Sequence, residues 1–110
     1  MIEKIVRDYL AGTGFKAYME VPVKPEQEYL LVEKTGSGKS NQIQSATVAV
    51  QCISKVSLFR AAQMCEQVID AMEGLAGLDA VFSCKLVSDY NFTNTATKEY
   101  RYQAIFSISY

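Results

Sequence analysis

Residues Ser57–Leu75 read SLFRAAQMCEQVIDAMEGL. This stretch carries the one long, unbroken helical period in the chain. Leu58, Ala61, Ala62, Cys65, Val68, Ile69, Met72 and Leu75 recur at three- and four-residue steps and so share a face. Arg60, Gln63, Glu66, Gln67, Asp70 and Glu73 fall opposite. Ser57 is placed to cap the first turn, and Gly74 to end the helix in a left-handed conformation. Each large apolar side chain that such a stripe buries contributes roughly 1.5–3 kcal/mol, so the stripe needs a partner. Strand-like runs on both sides make that partner a sheet.

Before the helix, Glu28–Thr35 reads as a strand around Tyr29, Leu30, Leu31 and Val32. Gln42–Ser54 reads as a longer one. Ala46, Val48, Val50 and Cys52 face one way there, and Thr47, Ala49, Gln51 and Ile53 the other. Between them, Gly36–Asn41 has the composition of a flexible hairpin tip. After the helix, Ala80–Ser88 alternates, with Phe82, Cys84 and Leu86 on one side. Lys98–Tyr110 alternates more cleanly, with Tyr100, Tyr102, Ala104, Phe106, Ile108 and Tyr110 together. The joining segment Asp89–Thr97, DYNFTNTAT, reads as a polar loop that carries Tyr90 and Phe92. At the start, Met1–Leu10 is a short amphipathic helix closed by Gly12 and Gly14, which must dock to persist. Phe15–Val21 is a candidate short strand, and Pro22 and Pro25 leave Val21–Glu28 as loop.

The expected fold is therefore α+β, a single domain over residues 1–110. Its sheet is mainly antiparallel with four to five strands. The long helix packs across one face, and the short N-terminal helix lies nearby. The second sheet face is partly uncovered, with Ala49, Ile53, Val81, Val87 and Ile105 as its candidate residues.

Composition narrows the function. Eleven basic and twelve acidic residues give a net charge of -1, which argues against a dedicated nucleic-acid binder. No apolar run reaches the length of a membrane span, and no signal peptide opens the sequence. Cys52, Cys65 and Cys84 are odd in number and lack a CxxC pair, so they read as reduced, buried thiols of a cytosolic protein. Histidine is absent, which removes His-based triads and most zinc sites.

Thr35–Ser40, TGSGKS, resembles the end of a phosphate-binding loop. Such a loop needs a glycine at position 33, where Glu33 stands, and its Lys-Ser pair must open a helix. A β-patterned run follows instead, so the hairpin-tip reading is preferred. Glu66, Asp70 and Glu73 read as a solvated helix face, and Cys65 has no histidine to activate it. Asn91-Phe92-Thr93 matches a glycosylation tripeptide without the secretory context to use it. Tyr90 and Phe92 fit either of two roles, closing the end of the core or marking a protein contact. No catalytic residue, cofactor or metal ligand is assigned. A structural or interaction role is the leading class.

The order of elements resembles the small tail-terminator, tail-completion or minor tail proteins of long-tailed phages and Gram-positive prophages. The resemblance is carried by MIEKIVRDYL at the start, by YLLVEKTG with its Gly/Ser tip, and by the long Ala-rich helix. The C-terminal SDYNFTNTATKEYRYQAIFSISY carries most of it. It implies a non-enzymatic virion-assembly subunit that forms a ring of identical copies, commonly a hexamer. The ring would cap the head-proximal end of the tail tube and help join tail to head. The implied partners are the chain itself, the tail tube protein and a head-completion or connector protein. No membrane or specific nucleic acid is among them. The implied locations are the bacterial host cytoplasm during assembly and the virion tail. The residues expected at the contacts are Tyr90 and Phe92, with Gly36, Ser37, Gly38 and Lys39 as a second patch. Two rivals are a small nucleotide- or ligand-binding enzyme using Gly36–Ser40, and a stand-alone adaptor domain.

Overall fold

The computed structural model describes residues 1–24, 26–40, 43–78, 81, 83–91, 93 and 99–110. Helix α1 spans Ile2–Gly12, strand β1 Ala17–Tyr18, β2 Glu28–Ser40 and β3 Ile43–Ser54. Helix α2 follows over Leu58–Met72, then a short 3-10 turn over Leu75–Gly77, β4 over Ser83–Asn91 and β5 over Tyr100–Ser109. The five strands form one sheet in the order β1-β2-β3-β5-β4. Every pairing is antiparallel except β1 with β2, which is parallel. The fold is α+β, as expected, with both helices on the same sheet face.

The core explains this arrangement. Val48, Val50 and Cys52 of β3, and Ala104, Phe106 and Ile108 of β5, point their side chains to the helix side and are fully buried. Ala61, Cys65, Val68 and Met72 of α2 and Ile2, Val6 and Leu10 of α1 close over them. The α2 stripe is rolled relative to its predicted centre. Met64 is buried, whereas Ile69 is half-buried and Leu58 is exposed. The start of α2 is left open to solvent, with Phe59 74% exposed and Val56, just before the helix, 58% exposed.

The helix ends show which sequence signals act locally. The Ser57 hydroxyl accepts from the Arg60 amide at 3.1 Å, the expected N-cap. Gly14 takes φ 105, the Phe15 amide donates to Leu10 and the Gly14 amide donates to Ala11. That is the glycine-closed C-terminus expected for α1. Gly74 does not behave this way. It keeps φ -83 and leads directly into the 3-10 turn. A Cβ there would stand 2.6 Å from the Tyr9 hydroxyl, so the position needs a small residue for space, not for a left-handed backbone.

The second sheet face differs from the expectation in two ways. Ala49 and Ile53 lie on it but are buried, and Ile53 packs with Tyr29, Leu31 and Tyr18 of the neighbouring strands. The Tyr18 and Tyr29 rings meet edge to face at 6.2 Å. Val81 belongs to the helix-side core instead, and Val87 is 61% exposed at the sheet edge.

Candidate interaction surface

Within the expected tip, Gly36–Ser40 is not a loop. Gly36 to Ser40 continue β2 and pair residue by residue with Thr47 to Ile43 of β3. Only Asn41 of the expected tip lies outside the described residues. A continuous strand presents alternating amides to its neighbour, so Gly36–Ser40 forms no cradle of converging N–H groups at a helix start. The Gly36, Ser37, Gly38 and Lys39 patch is thus the outer end of a sheet edge. β1 covers only Leu30 and Leu31 of β2, which leaves Val32 onward without a strand partner on that side among the described residues.

Tyr90 is likewise on a strand. Asp89, Tyr90 and Asn91, expected in the loop, pair instead with Ala104, Gln103 and Tyr102 of β5. Phe92 lies outside the described residues. Tyr90 sits on the second sheet face, where the Gln103 side-chain amide donates to its hydroxyl. Arg101 donates to Gln51 at 3.2 Å and to Glu99 at 3.0 Å on the same face. These bonds explain how Gln51 and Gln103 are tolerated as buried polar groups. Tyr90 remains 39% exposed, and Leu86 and Val87 beside it are 43% and 61% exposed. β4 is the other edge of the sheet.

The sequence-predicted contact residues therefore occupy two opposite edges. The fold does not bring them together within one chain. Three strand spacings, roughly 14 Å, separate the β2 and β4 edges. Sequence reasoning missed Phe59 and Val56, an exposed apolar pair at the start of α2. Phe59 follows Leu58 outside the helical stripe, and an apolar residue off the stripe was the available signal.

Two clefts flank α2. One of about 330 Å³ is lined by Phe15, Lys16, Glu28, Arg60, Met64 and Gln67. Its main charges pair with each other. Arg60 holds both Glu28 oxygens at 2.9 Å, and the Ser54 hydroxyl donates to the same carboxylate at 3.1 Å. The Arg60 bonds, helped by Ser54, hold the Glu28 carboxyl below its usual range. The other cleft, about 450 Å³, is lined by Ile69, Met72, Glu73, Cys84, Leu86 and Phe106. Burial pushes the Cys84 thiol there up to about 11, which disfavours the thiolate. Cys84 is half-buried, short of the full burial expected, while Cys52 and Cys65 are buried as anticipated. A hydrogen bond with Cys65, and then burial, push the Cys52 thiol up. Among the described residues, no group of three or more Cys, Asp or Glu is arranged to hold a metal ion. None of their helices is long and apolar enough to cross a membrane.

These features define an α+β unit whose distinctive surfaces are two long sheet edges. The chain matches no known family's sequence profile, and no curated protein sequence matches it.

Proposed function

We propose that the chain is a structural subunit of phage tail assembly, a tail terminator that works as a closed ring at the head-proximal end of the tail tube. The observation that carries this reading is the placement of its two candidate contact patches on opposite edges of one sheet. A ring of identical subunits needs a head-to-tail contact in which two different patches meet. Tyr90 supplies one patch and Gly36 to Lys39 the other. The order of elements and the aromatic-rich C-terminal third support the phage reading through the resemblance described above. In this reading the ring meets the tube protein on one side and a head-completion or connector protein on the other. It assembles in the bacterial host cytoplasm and ends in the virion tail.

The test is binding to purified tail tubes. The wild-type chain should cap tube ends, and Tyr90→Ala with Phe92→Ala should weaken capping while leaving the melting curve close to that of wild type. A wild-type chain that neither self-associates nor binds tube ends at any concentration tested would overturn the reading.

A further inference from the structure

The two open edges match each other in a way that neither matches the strands between them. β4 carries one extra residue between Leu86 and Ser88, and β2 carries one between Lys34 and Gly36. Following the pairings across the sheet, Ser83, Ser109, Ser45 and Gly38 share one level, and Asn91, Tyr102, Cys52 and Leu30 share another. Between these levels the inner strands run over residues 45–52 and 102–109, and the edge strands over 30–38 and 83–91. Each edge is thus one residue longer than the inner strands over the same height. Bulges commonly protect an edge by spoiling its register with any regular strand. Here both edges are spoiled by the same single residue at adjacent levels, so they remain in register with one another.

We propose that copies of this chain join edge to edge, with Ser83–Asp89 of one copy pairing antiparallel with Val32–Gly38 of the next. β2 and β5 run one way, β3 and β4 the other. Placing β4 beside β2 of the next copy therefore continues the antiparallel alternation. It also satisfies backbone groups that each edge leaves to solvent. β1 blocks only Leu30 and Leu31, which sets the lower limit of the contact. Counted residue by residue along the two strands, Ser83 lies opposite Gly38, Lys85 opposite Gly36, Val87 opposite Lys34 and Ser88 opposite Glu33. The two glycines have no side chain and let the backbones approach. The Lys34 stem covers the exposed Val87, and its ammonium lies diagonal to Asp89, within reach of a long side chain. No like charges stand directly opposite. The contact is heterologous, so it can repeat from copy to copy. The contact uses the Gly36–Gly38 end of β2 against Ser83–Lys85 of β4 and leaves Tyr90 just beyond its lower end, at the level that β1 covers; it rests on the ring reading only for closure of the ring.

The experiment needs no tail tube, so its failure and the failure of the tail reading are separable. Glu33→Cys and Ser88→Cys are combined in one chain and oxidised with diamide at high protein concentration. Residues directly opposite in an antiparallel pair lie within disulfide reach, while the two edges of one chain do not. The expected result is a ladder of covalent oligomers on a non-reducing gel, with neither single variant giving any. Adding Val87→Lys, which faces Lys34, should cut the trapped fraction severalfold, and adding Lys34→Glu as well should restore it. Melting curves confirm that each variant is folded. Absence of a ladder, a covalent dimer from either single variant, or a trapped fraction indifferent to the charge swap would each overturn the edge pairing.

Discussion

Gly74→Ala isolates the contact that locks α1 onto the end of α2. The Tyr9 hydroxyl donates to the Ala71 carbonyl at 2.6 Å. A Cβ at position 74 would fall 2.6 Å from that hydroxyl, 3.5 Å from the Ala71 oxygen and 3.8 Å from the ring carbon bearing the hydroxyl. The backbone there, φ -83 and ψ -6, suits alanine. Alone, Gly→Ala at a compatible site stabilises by roughly 0.4–1 kcal/mol through the unfolded chain. Against that, the hydroxyl must leave its place, losing a hydrogen bond of about 0.5–1.5 kcal/mol net. Displacing a rigid ring in a packed site costs a further 1–3 kcal/mol or so. The steric side wins, and Gly74→Ala should destabilise by about 1–3 kcal/mol. Tyr9→Phe alone should cost about 1 kcal/mol. In the Tyr9→Phe background the nearest ring atom is at ordinary contact distance, so the same Gly74→Ala change should now stabilise. Urea melts of the four proteins, compared at constant m, measure the cycle. Additive effects to within about 0.5 kcal/mol, or a stabilising Gly74→Ala in the wild-type background, would refute the packing argument.

The roll of α2 is testable by ranking two truncations. Met72→Ala, at 1% exposure, should cost about 2–5 kcal/mol, and the half-buried Ile69→Ala clearly less in the same denaturant melts; a reversed order would mean the helix face is misassigned. Glu28 gives a pH signature. Its carboxyl is held low in the folded chain, so its contribution is fully present above the unfolded carboxylate range near about pH 4 and is lost as pH falls through the folded value. The stability gap between wild type and Glu28→Gln should therefore be widest at neutral pH and close in acid. A gap constant from pH 7 to pH 2 would remove the Arg60–Glu28 pair from the account.

What the sequence made legible was local. The Ser57 cap and the glycine stop after α1 depend on a few consecutive residues, and both form as read. The alternation of Val48, Val50 and Cys52 named the core face of β3 because a strand's period is fixed at two. What stayed hidden was set by partners distant in the chain. Gly36 to Ser40 has the composition of a turn, yet β3 supplies a ladder for every residue of it, and pairing overrides a weak strand propensity. Asp89–Asn91 looked like loop for the same reason. It is polar because β4 is an edge strand, and Asp89, Tyr90 and Asn91 are all exposed there. β1 was read as a strand, but two residues cannot announce a parallel pairing.

The candidate contact residues were named one by one from composition, while their relation to each other was not readable there. That relation comes from the strand order, which sends β4 to the outside and returns β5 to the middle. It comes also from two bulges, which can be located only once the registers of three pairings are known. A single bulge on one edge would have been ordinary protection against aggregation. Equal bulges on both edges no longer exclude every strand. They exclude strands of regular count and still admit the opposite edge of the same chain. In the proposed edge-to-edge contact, a pair of this kind would combine resistance to foreign strands with recognition of a second copy of the chain.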